Sequence, residues 1–411
     1  MNSQTPCIII PGFCQSKLNI VDDKGNFVKK VWPAKFDTKR AAKKVLPAFF
    51  RTVISRKDSG FTDSVNDIFK KILEPASVLP SGKMKYNVET VRNEASLADL
   101  SESTRHFAHK IAPVDGLCEE IGDENIYLFS YNFFSSPFET ARELDSFITF
   151  VKNDSGSDKV DLLPYSLGGT VALTYLDLFG NKNDTRRIFY LVTALDGSDL
   201  IADVLSKNVD KKQGYSILEF IFSKEVADTF RKVLFFTPWE VRYALLYKGL
   251  DTAIDTVLRN SPFMWSLVPS ERYEKLSGML LSGSEYSELL KITDRYHEIQ
   301  TRREKILSDA KNSGTDIFIC AGYAQRFLKI SLDNETSTDR ILSLKSSSGI
   351  GAKLGETPDI KCALFPGTTY LIKNLSHVTA AQNNKVQTIV KNALTCENIS
   401  LIENEEKFIT A

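Results

Sequence analysis

Histidine is scarce in this chain: His106, His109, His297 and His377 are the only four in 411 residues. Any chemistry that needs an imidazole as general base therefore has few candidates. Cysteine is present but not in pairs. Cys7, Cys14, Cys118, Cys320, Cys362 and Cys396 lie far apart and form no C-x-x-C, which argues against a zinc site or a disulfide framework and for reduced or buried thiols. Net charge is missing as well. The 52 basic and 52 acidic side chains cancel, so nothing global points to nucleic acid. No apolar run approaches the roughly 18 residues of a membrane span, and the first residues lack the basic start and apolar core of a signal peptide. These absences lead to the expectation of a cytoplasmic protein, membrane-associated at most through its surface.

What is present centres on one stretch, Val160-Asp161-Leu162-Leu163-Pro164-Tyr165-Ser166-Leu167-Gly168-Gly169-Thr170. A short apolar run reaches a serine and continues into small residues and a helical apolar pattern. That predicts a strand, a very tight turn and a helix, the form of a nucleophile elbow. A serine hydroxyl is a weak nucleophile and must be held where a base can reach it. The sharp turn lifts it clear of the sheet, and the two glycines let helix and strand approach. The N–H of Leu167 then lies at a helix N-terminus, where it can stabilise an oxyanion. The same residues are also compatible with a buried strand-turn-helix whose serine only caps the helix.

Around this stretch, near-continuous apolar runs alternate with helical patterns. Cys7-Ile8-Ile9-Ile10 ends in Pro11-Gly12, and Phe13 beyond it is the candidate second oxyanion donor, with Cys14 next in line. Further strands are predicted at 125–131, 188–194, 316–322 and 369–372, and helices at 65–73, 100–111, 137–151 and 385–394. Runs that are apolar throughout belong to strands covered on both faces, hence an α/β fold with a mostly parallel sheet flanked by helices. His106 and His109, three apart on one helix, lack any acidic partner pattern and read as surface or packing residues; no metal or organic cofactor is implied.

Two segments depart from this alternation. Residues 29–57 hold ten Lys or Arg and one acid, Asp37, interleaved with Trp32, Phe36, Phe49, Phe50 and Ile54. Such a segment either packs its apolar side on the domain or lies on an anionic membrane surface; Pro47 argues against one continuous helix. Residues 200–310 are helical in pattern and dense in Ile217, Phe220, Phe222, Phe230, Phe235, Phe236 and Trp239. They read as a cap inserted in a core of residues 1–199 and 311–395, with 396–411 a loose tail.

With the elbow and His377 in place, the chain resembles the lecithin:cholesterol acyltransferase-like lipases and phospholipases of the α/β-hydrolase superfamily, from about residue 7 to residue 395. Ile9-Ile10-Pro11-Gly12-Phe13 is similar to the family's opening oxyanion segment, and Val31-Trp32-Pro33 to the tryptophan that follows it. Phe129-Ser130-Tyr131-Asn132-Phe133 resembles its Tyr-Asp-Trp stretch. Leu163-Pro164-Tyr165-Ser166-Leu167-Gly168-Gly169 takes the place of Gly-His-Ser-Met-Gly-Gly, and residues 261–270 resemble a segment of its cap. Thr338-Asp339-Arg340-Ile341-Leu342-Ser343-Leu344-Lys345-Ser346 lies on Gly-Asp-Gly-Thr-Val-Pro-Leu-x-Ser, without either glycine.

The resemblance implies a triad of Ser166, Asp339 and His377, in the chain order of that superfamily. Asp333, Glu335 and Glu356 remain rival acids. It also implies an acyl-enzyme route on lipid or other apolar esters, passing the acyl group to water or to an alcohol. The altered elbow, the altered loop Ala194-Leu195-Asp196-Gly197-Ser198 and the missing glycines motivate a second reading, a hydrolase fold that binds lipid without chemistry.

Overall fold

The computed structural model describes residues 4–34, 38–210, 228, 232, 234–398 and 407–410. Ile217, Phe220, Phe222 and Phe230, counted above with the helical insertion, and Phe36 and Asp37 of the basic segment lie outside them. Seven strands form a sheet: β1 (Cys7–Ile10), β5 (Ile126–Leu128), β6 (Val160–Pro164), β7 (Thr185–Leu191), β8 (Asp316–Tyr323), β9 (Thr369–Lys373) and β10 (Phe408–Thr410). Their order is β10-β9-β8-β7-β6-β1-β5, and every pairing is parallel.

Strand period explains why these runs are apolar throughout. Successive side chains point to opposite faces. Ile8 and Ile10 enter one core with Leu144, Ile148, Leu173 and Leu307. Cys7 and Ile9 enter the other with Ile111, Leu117, Val386 and Val390. Helices Pro137–Ser155, Gly168–Phe179 and Arg303–Asn312 thus cover one face, and Glu102–Ile111, Asp115–Ile121 and Asn384–Thr395 the other.

The structure departs from the sequence expectations in four places. First, β2 (Leu18–Val21), β3 (Phe27–Trp32) and β4 (Val88–Thr90) form a small antiparallel sheet, so the start of the basic segment is a strand. Its hairpin closes because the Asp22 carboxylate accepts the N–H groups of Lys24 at 2.9 Å and Asn26 at 2.8 Å, an Asx-type turn. Second, α1 (Thr38–Ser55) runs unbroken through Pro47. An interior proline costs about 3 kcal/mol, but Ala48 and Thr52 on the opposite side are buried, and Thr52 Oγ1 accepts the Ser59 N–H at 2.9 Å. Pro47 and Lys43 are exposed, so the carbonyl that loses its partner reaches water.

Third, the tail expected to be loose ends in β10, which pairs with the edge strand β9 through Phe408, Ile409 and Thr410; an uncovered edge offers unpaired backbone groups to such a segment. Fourth, α2 (Phe61–Leu73) packs both on α1 and on the helix Trp239–Ala253 of the segment read as a cap. Thr252 Oγ1 donates to Asn66 Oδ1 at 2.9 Å, and Lys248 pairs with Asp63. These helices from two distant parts of the chain stand over the carboxyl ends of the strands, where the elbow is.

Candidate active site

The site is assembled from three loops at the strand ends. Ser166 follows β6 with φ 53°, in the left-handed region. An L-residue held there costs about 1–2 kcal/mol and needs support from all sides. The Tyr165 N–H donates to the Ile10 carbonyl at 2.9 Å, the Ser166 N–H to Leu191 at 3.2 Å, and the Gly168 N–H to Tyr165 at 2.8 Å. Gly168 is required by proximity: a Cβ there would overlap the Ile10 carbonyl oxygen, which is backbone and cannot swing away. Gly168→Ala is expected to destabilise the fold by about 2–3 kcal/mol, read as a lower urea midpoint with an unchanged slope.

His377 lies in the turn after β9 and Asp339 in the loop after β8. His377 Nε2 is 2.8 Å from Ser166 Oγ, and His377 Nδ1 is 2.8 Å from Asp339 Oδ2. The second carboxylate oxygen, Oδ1, accepts the N–H groups of Ile341 at 3.0 Å and Leu342 at 2.8 Å. With Asp339 and His377 both buried, the carboxylate has every strong donor it needs. It accepts from Nδ1–H, which leaves Nε2 to accept from the serine. The His377 N–H also donates to the Asp339 carbonyl at 2.9 Å, so the two loops hold each other.

Gly322, near the end of β8, makes room for this contact; a Cβ there would come 2.8 Å from Asp339 Cβ and 2.7 Å from the Leu375 carbonyl oxygen. The position after the acid, glycine in the resembled motif, is Arg340 at φ 89°. The turn keeps its left-handed residue without its glycine. Asp333 and Glu356, the rival acids, are spent locally. Asp333 accepts the N–H groups of Glu335 at 2.8 Å and Thr336 at 3.1 Å, and Glu356 that of Lys353 at 2.8 Å. Glu335 is exposed.

The segment Pro11–Ser16 is pinned beside the serine by contacts that the sequence motifs did not specify. Tyr131 Oη donates to the Pro11 carbonyl at 2.7 Å, Trp32 Nε1 to the Cys14 carbonyl at 2.7 Å, and the Gly12 N–H to Gln15 Oε1 at 2.6 Å. The Tyr131 N–H reaches Ser16 Oγ at 3.1 Å. The Phe13 ring is wedged edge-on against Phe133 and Phe134. Among the described residues, no acceptor takes the backbone N–H of Phe13 or Leu167, and both residues line the cavity at Ser166. Tyr165, whose place the resembled motif gives to histidine, donates its hydroxyl to the His377 carbonyl. Burial, then the nearby Asp339 charge, pushes that phenol well above its usual range, so it stays a donor.

A strand–elbow–helix serine at the centre of a parallel sheet, with its acid and histidine on the loops after later strands, decides the architecture. This is an α/β-hydrolase fold. No protein-family model and no curated protein matches the chain. Solved structures do. The chain is similar to a structure of the Tle4–Tli4 complex, with 12% identity over 99% of this chain and 100% of that one and a TM-score of 0.41. It is similar to phospholipase PlaB from Legionella pneumophila, with 12% identity over 68% of this chain and 53% of that one and a TM-score of 0.40. Bacillus licheniformis lipase BlEst2 matches at 11% identity over 75% and 88%, with a TM-score of 0.33. The likeness is one of fold.

In this fold the serine opens on a cavity of about 1680 Å³, well above the roughly 300–1,000 Å³ of a drug-sized pocket. Its walls are apolar side chains of α1, α2, Asp199–Leu205 and Trp239–Ala253, such as Val45, Phe49, Ile68, Leu205 and Leu246. No helix of the described residues is long and apolar enough to cross a membrane. Elsewhere, the ligand atoms of His109, Cys118 and Asp123 lie within 4.8 Å of one another. His109 Nδ1 already pairs with Asp115 at 2.6 Å. Burial, then the Asp123 carboxylate, pushes the Cys118 thiol up, against the thiolate that metal ligation needs.

Proposed function

We propose that the chain is a serine hydrolase acting on lipid esters through an acyl-enzyme. Its catalytic residues are Ser166, His377 and Asp339, and its oxyanion donors are the backbone N–H groups of Phe13 and Leu167. The observation that carries the reading is the unbroken hydrogen-bond chain from Ser166 Oγ through both nitrogens of His377 to Asp339, placed at the head of an apolar cavity. His377 Nε2 takes the hydroxyl proton as Ser166 Oγ attacks the ester carbonyl. Asp339 holds the Nδ1–H tautomer and stabilises the imidazolium. The carbonyl oxygen, now an anion, lies against the two N–H groups. His377 then delivers its proton to the leaving alcohol, and the acyl group remains on the serine. Water as acceptor completes hydrolysis, and an alcohol completes acyl transfer.

The apolar walls support a substrate with long hydrocarbon chains, since an unlined polar headgroup would find few partners among them. Within the α/β-hydrolases, the motifs at residues 9–13, 129–133 and 163–169 support kinship with the lecithin:cholesterol acyltransferase-like lipases and phospholipases. All six cysteines are free, which supports a reducing, cytoplasmic setting. The basic segment 29–57 supports peripheral contact with a membrane.

A fluorophosphonate label tests the proposal. Wild-type protein is expected to label and Ser166→Ala not to, with an ester panel rising in rate toward long acyl chains. A folded wild type that fails to label in the presence of detergent or lipid would return the chain to the non-catalytic, lipid-binding reading.

A further inference from the structure

The rim of the cavity differs from the rest of the surface. α1 carries Lys39, Arg40, Lys43, Lys44 and Arg51 and no acid, in a chain of zero net charge. Leu46, Phe50 and Ile54 stand four residues apart, so they form one row along the helix, away from the buried Ala48 and Thr52. Phe50 is 56% and Ile54 81% exposed. Next to this row stands a second one. Phe235 is 71% and Trp239 67% exposed, and Phe236 is exposed between them.

Ala48 and Leu234 belong to one small core with Phe61 and Val241, which packs α1 against the segment that carries the second row. Leu46 and Trp239 also line the cavity, so this patch is its mouth. Single exposed apolar residues are ordinary; two exposed rows that each send one member, Leu46 and Trp239, into the same cavity are not. The charges are also unbalanced. The two acids of α2 are already paired, Asp67 with Lys44 at 3.1 Å and Asp63 with Lys248. Among the described residues, Lys39, Lys43 and Arg51 take part in no ion pair.

From this juxtaposition we propose that the cavity mouth docks on an anionic lipid bilayer. Phe50, Ile54, Phe235, Phe236 and Trp239 enter the boundary between headgroups and acyl chains, about 5–10 Å deep. Lys39, Lys43 and Arg51 keep their charged ends among the anionic headgroups while their stems cover apolar surface. A lipid then passes from the bilayer into the cavity without exposing its chains to water. The inference rests on the lipid-ester reading of the site and adds the surface from which the substrate is drawn.

Co-sedimentation of the full chain with vesicles is the test, using phosphatidylcholine alone and phosphatidylcholine with about one-third phosphatidylserine. Binding is expected to the anionic vesicles only, and to fall as salt is raised. A basic residue near the surface contributes about fivefold in partitioning, so K39E/K43E/R51E is expected to lose about 100-fold or more. F50S/I54S is expected to lose about tenfold. Both variants should hydrolyse a short, soluble ester within about twofold of wild type, because none of the five residues lines the site. Equal binding to both vesicle types, no binding to either, or unchanged binding of the triple variant overturns the proposal. Should vesicle binding follow the expected pattern while the soluble ester is not turned over, the docking surface stands and the hydrolase reading falls.

Discussion

Replacing His377 with alanine is expected to lower ester turnover by about a million-fold, the scale on which loss of the base from a serine–histidine–acid unit is felt. Among the described residues, the imidazole is the one group placed to accept from Ser166 Oγ, at 2.8 Å. His106 and His109 lie on a helix that covers one face of the sheet and do not line the cavity. Without His377 the hydroxyl keeps its proton, and what remains is the pull of the two backbone N–H groups and binding in the cavity, worth about 10³–10⁴ over water. The loss should fall on kcat and leave KM close to wild type, since on the proposed mechanism His377 acts on the reacting atoms and not on the hydrocarbon. His377→Gln keeps most of the buried volume and should be equally inactive with less change in Tm, which separates lost chemistry from lost packing. Activity within about tenfold of wild type in either variant would remove His377 from the mechanism.

Asp339→Asn is expected to cost about 10⁴-fold in kcat. The argument concerns one hydrogen. The carboxylate Oδ2 accepts from His377 Nδ1, while Oδ1 is already held by the N–H groups of Ile341 and Leu342. An asparagine must keep its oxygen toward those two donors. Its NH₂ then faces Nδ1, which forces the proton onto Nε2 and leaves the imidazole no lone pair for the serine. The folded structure should survive, because the amide is isosteric. Asp333→Asn and Glu356→Gln provide the comparison. Both acids serve local turns, and each substitution should stay within about threefold. A near-normal Asp339→Asn beside an inactive Asp333→Asn would transfer the acid's role to the rival.

The residues of this relay were legible in the sequence for different reasons. Ser166 announces itself locally, because an elbow needs an apolar strand, a serine and small residues in immediate succession. His377 is found by scarcity together with its place after the last strand. Asp339 rests on a motif resemblance in which both glycines are absent. In the structure Arg340 itself adopts the left-handed turn, a conformation no residue type advertises. The sheet was readable because its strands are covered on both faces and so are apolar throughout. The small sheet β3-β2-β4 was missed because it is half exposed. β3 runs Phe27, Val28, Lys29, Lys30, Val31, Trp32 and is open to solvent along most of its length, so its pattern merged with the basic segment that follows.

Helix α1 was obscured by Pro47, whose local cost is offset by burial against neighbours that no window of sequence contains. The fasteners of the oxyanion segment, Tyr131, Trp32 and Gln15, reach it from 120 and 18 residues away in the first two cases. Tyr131 and Trp32 donate to backbone carbonyls that only the fold brings to them, while Gln15 accepts the Gly12 N–H from within the segment itself.

Much of the cavity wall is built from residues 38–73 and 239–258, with Asp199–Leu205 completing it, while Ser166, Asp339 and His377 sit on the loops after β6, β8 and β9. On the proposed mechanism, reactivity and selectivity therefore occupy different stretches of polypeptide that meet only in space. Change in the walls can alter which molecules enter while the proton path stays as it is, and this leaves the scaffold open to retuning by exchange of two surface modules. Divergence among relatives should accordingly concentrate in the walls, and a comparison of whole chains will understate how similar their reaction centres are.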